Sequence, residues 1–412
     1  MQRTTLDQGE RIVKRSTGTL AFIAVVAGTA ALAQPGGFGQ RMQAVLSQPF
    51  VGLTADGNIE TGLFEIRSTG VSTRDVRIAA ERFLASLTTE QRARTLYPVD
   101  DTEWRNWANV HRFERQGVSA LELNETQREL AYGLIRAGLS ERGYQTSRDI
   151  MRLNHTIAEL VNNFDEYGEL LYFFTIMGTP SADQPWGWQV DGHHLVVNYF
   201  VVGDQVVMTP TFMGSEPVSA DAGKYAGTSI MAPEQNEALT FMQSLDSEQR
   251  ADAVLSTTKQ RGENEAEMMS DNVTVAYEGL PATRLNATQR GALLELIGLY
   301  VGQMDDGHAA IRMEEVMAKL DQTWFAWKGQ IESDGVFYYR IHSPVIYIEF
   351  DHQGPVALGG PRDVATRNHI HSVVRTPNGN DYGRDLLRQH LEQFAGDPAH
   401  GHSEAPTLAA AP

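Results

Sequence analysis

The chain has 412 residues, 42% hydrophobic and 21% charged, the composition of a globular protein long enough to bury a large core. Its formal charge of −18 and lack of any basic run exclude a phosphate-backbone binder, which needs clustered Lys and Arg. The complete absence of cysteine excludes disulfides, thiolate ligands, a cysteine nucleophile and a lipidated N-terminal cysteine.

At the N-terminus, Arg11, Lys14 and Arg15 precede the apolar stretch TLAFIAVVAGTAAL (19–32), and Ala31-Leu32-Ala33 has the form of a cleavage signal. The apolar run is shorter than the roughly 20 residues of a membrane span. Residues 1–33 therefore read as a secretory signal peptide, with an uncleaved signal anchor as the alternative. Cleavage predicts an exported protein, periplasmic or extracellular, with no stable membrane insertion. Residues 34–71 read as an N-terminal linker or extension, and GGFGQ (36–40) within it as linker, not phosphate loop.

From there the chain repeats itself at a spacing near 160 residues. FLASLTTEQRA (83–93) returns as FMQSLDSEQRA (241–251), and GVSALELNETQRELAYGLI (117–135) as GLPATRLNATQRGALLELI (279–297). RDIMRLNHTIAEL (148–160) answers AAIRMEEVMAKL (309–320). The stretches Ser86–Glu90 and Asn286–Gln289 carry helix-capping signatures. The strand-like runs follow more faintly: WQVDGHHLVVNYF (188–200) with YRIHSPVIYIEF (339–350), and VVMTPTFMG (206–214) with VVRTPNG (373–379). This predicts an α+β fold of two homologous halves, 72–230 and 231–394. Each half would place helices before antiparallel strands, with a pseudo-twofold axis and the strands toward the junction. GSEPVSADAGKYAGTS (214–229) reads as the loop joining the halves, and 395–412, with His400 and His402, as a disordered tail.

The chemistry-bearing residues sit in the β segments. Alternate side chains of a strand share a face, so His369 and His371 point the same way and can chelate one metal or grip one anionic group. His193 and His194 are adjacent, and both can reach such a site only if Asp-Gly-His-His is a turn. Aligning Thr376-Pro377 on Thr209-Pro210 sets the two histidines opposite Val202 and Asp204, so the pair belongs to one half only. Imidazoles with carboxylates and no thiols suit a divalent metal such as Zn or Fe. Glu349 and Asp191 are the candidates for a fourth ligand or general base.

Arg340 and Arg375 lie in largely apolar strands, where a guanidinium needs a partner. They read equally as recognition groups for an anionic substrate and as members of internal salt bridges with Glu349, Asp351 or Asp381. His342 shares a face with Arg340. Trp188 reads as an aromatic wall of a substrate site or as core. Asp305 and Asp306 are natural caps for the helix that His308 opens.

Together, PWGWQVDGHHLVVNYF, YYRIHSPVIYIEF and NHIHSVVRTPNGNDYG resemble the domain-of-unknown-function family 3500, from about residue 72 to 395. The motifs are Gly-His-His at 192–194, Tyr-Arg-Ile-His at 339–342, Ile-Glu at 348–349, His-Ile-His at 369–371 and Asn-Asp-Tyr-Gly at 380–383. Thr376 departs from the resemblance, which implies Asp at that position. The resemblance implies a bacterial exported protein and supplies no reaction, substrate or cofactor.

The resulting expectation is a metal-dependent enzyme, a hydrolase ahead of an oxidoreductase, acting on a small anionic molecule between the halves. His369, His371 and one of His193 or His194 would hold the metal. A non-catalytic module that binds a small ligand or metal is the alternative, and a metal-free histidine network joining the halves is a third. No nucleophile–base pair separates them, and the sequence gives no oligomeric state.

Overall fold

A computed structural model describes residues 35–395. The expected signal peptide lies outside those residues, as do His400 and His402. The chain opens with α1 (Pro35–Leu46), α2 (Arg74–Ser86), α3 (Thr89–Thr95), β1 (Leu96–Tyr97) and β2 (Val118–Ser119). Helices α4 (Glu125–Gly138) and α5 (Glu141–Val161) follow, then β3 (Tyr172–Met177), β4 (Trp186–Gly192), β5 (Leu195–Val202), β6 (Gln205–Val207) and β7 (Thr211–Ser215). The second part starts with α6 (Ala232–Ser244), α7 (Ser247–Ala253), β8 (Val254–Ser256), β9 (Leu280–Pro281), α8 (Ala287–Val301) and α9 (Asp306–Ala318). It ends with β10 (Trp324–Gly329), β11 (Phe337–His342), β12 (Tyr347–His352), β13 (Ile370–Arg375) and α10 (Arg384–Gln393). The compact body begins at Met42, within α1.

The protein is α+β. Its strands form one mostly antiparallel sheet with the path β1-β3-β4-β5-β7-β13-β12-β11-β10-β8, and β2, β6 and β9 attach beside it. The order reads alike from both ends. A short edge strand is parallel to its neighbour (β1 on β3, β8 on β10), and antiparallel strands lead to the central β7–β13 pair. At that centre Thr209 Oγ1 lies 2.7 Å from Thr376 Oγ1.

Strand alternation gives the sheet two characters. One face carries Trp188, Tyr199, Met213, Ile370, Ile348, Tyr339 and Trp327. It shares a single apolar core with α2, α4, α5, α6 and α8, which contribute Phe83, Ile135, Met151, Phe241, Leu293 and Ile297. The opposite face carries Asp191, Asn198, Phe212, Val373, His371, Asp351, Glu349 and Arg340, as the cross-strand register requires. A second apolar cluster there, with Trp104, Trp107, Phe200, Tyr382 and Leu387, seats α10 and the 102–105 turn on the sheet. The polar remainder of this face lies under loops, including 257–279.

Capping fixes where the helices start. Asn124 with Gln127 and Asn286 with Gln289 form reciprocal capping boxes, as do Thr88 with Gln91 and Asp246 with Gln249. In the first of the two expected caps the partner is Gln91, not Glu90, because only residue N3 faces the cap. Gln127 then bonds Ser86 O and Gln91, just as Gln289 bonds Ser244 O and Gln249. Among the described residues no helix is long and apolar enough to cross a membrane.

Candidate metal centre

β4 and β5 are joined through His193 and His194, a two-residue turn, with Gly192 paired to Leu195. His194 takes a left-handed backbone, φ +62°, which histidine enters more readily than most residues but which is still uncommon. The turn is tied down by His194 N donating to Asn109 O and by His194 O accepting from Gly214 N. This backbone turns the His194 ring toward His371 of β13 and His369, the residue just before that strand.

The three Nε2 atoms converge. His369 and His371 are 3.0 Å apart, and each lies 3.2 Å from His194. Donors about 2.0–2.1 Å from a shared ion stand roughly 2.8–3.4 Å apart at octahedral to tetrahedral angles, so the spacing fits. All three residues are buried. Gly214 pairs with His371 across β7 and β13, and its missing side chain matters. A Cβ there would stand 2.4 Å from Ile370 O and 3.4 Å from His371 Cδ2.

The outer nitrogens fix the tautomers. His369 Nδ1 lies 2.8 Å from Gly354 O, a group that can only accept, so Nδ1 carries the proton and Nε2 a lone pair. His371 Nδ1 lies 3.0 Å from Glu267 Oε2. Burial pushes the Glu267 carboxyl up, but the His371 imidazole and the Asn264 and Asn109 amides outweigh it and hold it below the usual range. An ionised Glu267 accepts a hydrogen bond from Nδ1–H, and in the neutral ring His371 Nε2 then presents a lone pair. One proton on His194 can satisfy only one of the remaining contacts. Burial and the neighbouring imidazoles lower the pKa of both His194 and His369 well below the usual value, keeping them neutral. Three imidazoles facing one point can hold a metal ion.

The other candidates are placed as follows. His193 is outside the group: its ring stacks on His194 with centroids 3.9 Å apart, and its Nδ1 meets Asn154 Oδ1 at 2.8 Å. Asp191 pairs with Arg115 at 3.0 Å, and burial lifts its carboxyl to about 6. Glu349 accepts from Glu265 N, Ala266 N and Tyr338 OH, with burial lifting it to about 7. Arg340 is fully buried between Glu265 and Glu278, at 2.8 and 2.9 Å. Arg375 pairs with Asp271 at 2.9 Å and Asp381 at 3.1 Å. Burial lowers His342 to about 3, beside Tyr277 and Tyr347. Trp188 stacks on Tyr199 in the core of the opposite face.

Sequence reasoning passed over Glu267, which comes from the loop 257–279, and Glu216. The Glu216 carboxylate accepts from Val356, Ala357 and Leu358 N–H groups and lies 3.8 Å from His369 Nδ1. Nothing in either segment marks one carboxylate above its acidic neighbours.

The fold and the site define an α+β protein with a buried three-histidine group at the middle of a single large sheet. The chain belongs to the family described as "Protein of unknown function (DUF3500)", which matches residues 69–384. Comparisons with the curated proteins and with the solved structures return no match.

Proposed function

We propose that this is an exported metal-dependent enzyme, a hydrolase in preference to an oxidoreductase, with Zn or Fe held by His194, His369 and His371. The observation that carries the reading is the convergence of three buried Nε2 atoms 3.0 to 3.2 Å apart, where neutral rings set two lone pairs, on His369 and His371, against each other. A cation at that point removes the repulsion. Three neutral ligands leave the charge of a divalent ion largely uncompensated, and such an ion supplies Lewis acidity toward a water or an anionic group. Positive charge for an anionic substrate would therefore come from the ion, because Arg340 and Arg375 are engaged by internal carboxylates. Glu267 and Gly354 O orient the ligand rings.

The chain also reads as an internal duplication about the β7–β13 pair. Matching strand order from both ends, paired capping networks and the Thr209–Thr376 contact support this. Export rests on the N-terminal sequence alone.

The His371–Glu267 contact favours a second reading, in which an imidazolium at His371 donates to one neighbour and the group stays metal-free. Turnover of phosphate and carboxylate esters by metal-loaded and metal-stripped full chain tests the enzyme. Metal-dependent turnover lost in His371→Ala is the expected result. Tight metal binding without turnover of any ester would replace it with a metal-binding module.

A further inference from the structure

A cavity of about 350 Å³ lies on the other side of β13 from the histidines. Its floor includes Met213, Ser372 and Val374, which alternate with the His371 face, so the sheet separates it from the metal centre. Voids larger than a water are few in protein interiors, and this volume falls in the range of small-molecule sites. Four methionines, Met208, Met213, Met231 and Met304, line it. Their unbranched thioethers adapt to an apolar body of variable shape.

Polar groups give the cavity an orientation. Gln303 is buried, and its Nε2 donates to Leu299 O at 3.3 Å. That carbonyl fixes the amide, and Gln303 Oε1 is left buried without a partner. A buried acceptor without a partner, here in a residue that lines the cavity, costs about 1–3 kcal/mol until a donor reaches it. Among the charged residues of the lining, Arg312 pairs with Glu315 at 2.6 Å and Glu234 with Arg142 at 2.5 Å.

We propose that this cavity binds a neutral, mainly apolar small molecule that donates one hydrogen bond to Gln303 Oε1. The site is separate from the metal centre and does not depend on it.

Two probes with the same ring system test it in the full chain by fluorescence titration: neutral N-phenyl-1-naphthylamine, which has an N–H donor, and anionic 8-anilinonaphthalene-1-sulfonate. The neutral probe should bind at least about tenfold more tightly. Ile311→Trp and Leu63→Trp, both at lining residues, should each weaken it by about tenfold by filling the cavity. Gln303→Met should weaken it about threefold to tenfold, and His371→Ala should leave it unchanged. No binding of the neutral probe, equal or tighter binding of the anionic one, or unchanged binding in both folded tryptophan variants would overturn the proposal.

Discussion

Glu267 Oε2 lies 3.0 Å from His371 Nδ1, and the two residues are 104 positions apart in sequence. The contact fixes the ring so that its other nitrogen faces His194 and His369. Outer partners of this kind typically contribute 10- to 100-fold in metal affinity. Glu267→Gln should therefore bind metal about 10- to 100-fold more weakly while keeping its thermal midpoint. Competition with a fluorescent chelator reads this directly, and unchanged affinity would remove Glu267 from the site.

Gly214 tests the packing around the same ring. Gly214→Ala places a Cβ against a backbone oxygen that cannot move without parting β7 from β13. We expect a loss of about 1–3 kcal/mol in urea unfolding, together with weaker metal binding. A variant as stable as the parent would show that the strands yield easily there.

Arg375 is expected to be structural. It is fully buried and shared by Asp271 and Asp381, and Asp271 also takes Arg105 and Tyr382 OH. Removing one member strands buried charge. Arg375→Met should cost about 3–5 kcal/mol, measured by chemical denaturation. Full stability in that variant would return Arg375 to the list of ligand-recognition groups.

Glu349 makes stability depend on pH. Burial raises its carboxyl from 4.5 to about 7 in the native state, so the folded protein keeps a proton that the unfolded chain releases. Its contribution is complete below about pH 4.5 and is lost as pH rises through about 7. Asp191 and Asp351, each lifted to about 6 by burial, act in the same direction. His194, His342 and His369, kept neutral by burial, act in the opposite direction below their ordinary value of 6.5. The expected signal is therefore a difference: the urea midpoint of the parent should fall relative to that of Glu349→Gln as pH rises across this window. Equal slopes in the two proteins would contradict the assignment.

Strand alternation places Arg340 with His342, as the register bears out, and it pairs His369 with His371, whose Nε2 atoms meet at 3.0 Å although His369 stands one residue before β13. The same parity separates Trp188 from Asp191, three residues away, and the structure sets them on opposite faces. The choice of His194 over His193 was not legible, because it depends on a left-handed φ in a tight turn that either histidine could have occupied. Glu267, Glu216 and Asp271 were hidden for another reason. They reach the sheet from loops without hydrophobic period, and only tertiary folding brings one carboxylate, not its neighbours, to a buried partner.

The central claim is that three histidines hold a metal ion. Tag-free full chain, stripped with chelator and reconstituted with Zn or Fe, should retain about one ion per chain after gel filtration. His369→Ala/His371→Ala should retain almost none while keeping its far-ultraviolet circular dichroism. Wild-type protein that is isolated metal-free and cannot be reconstituted would contradict the account.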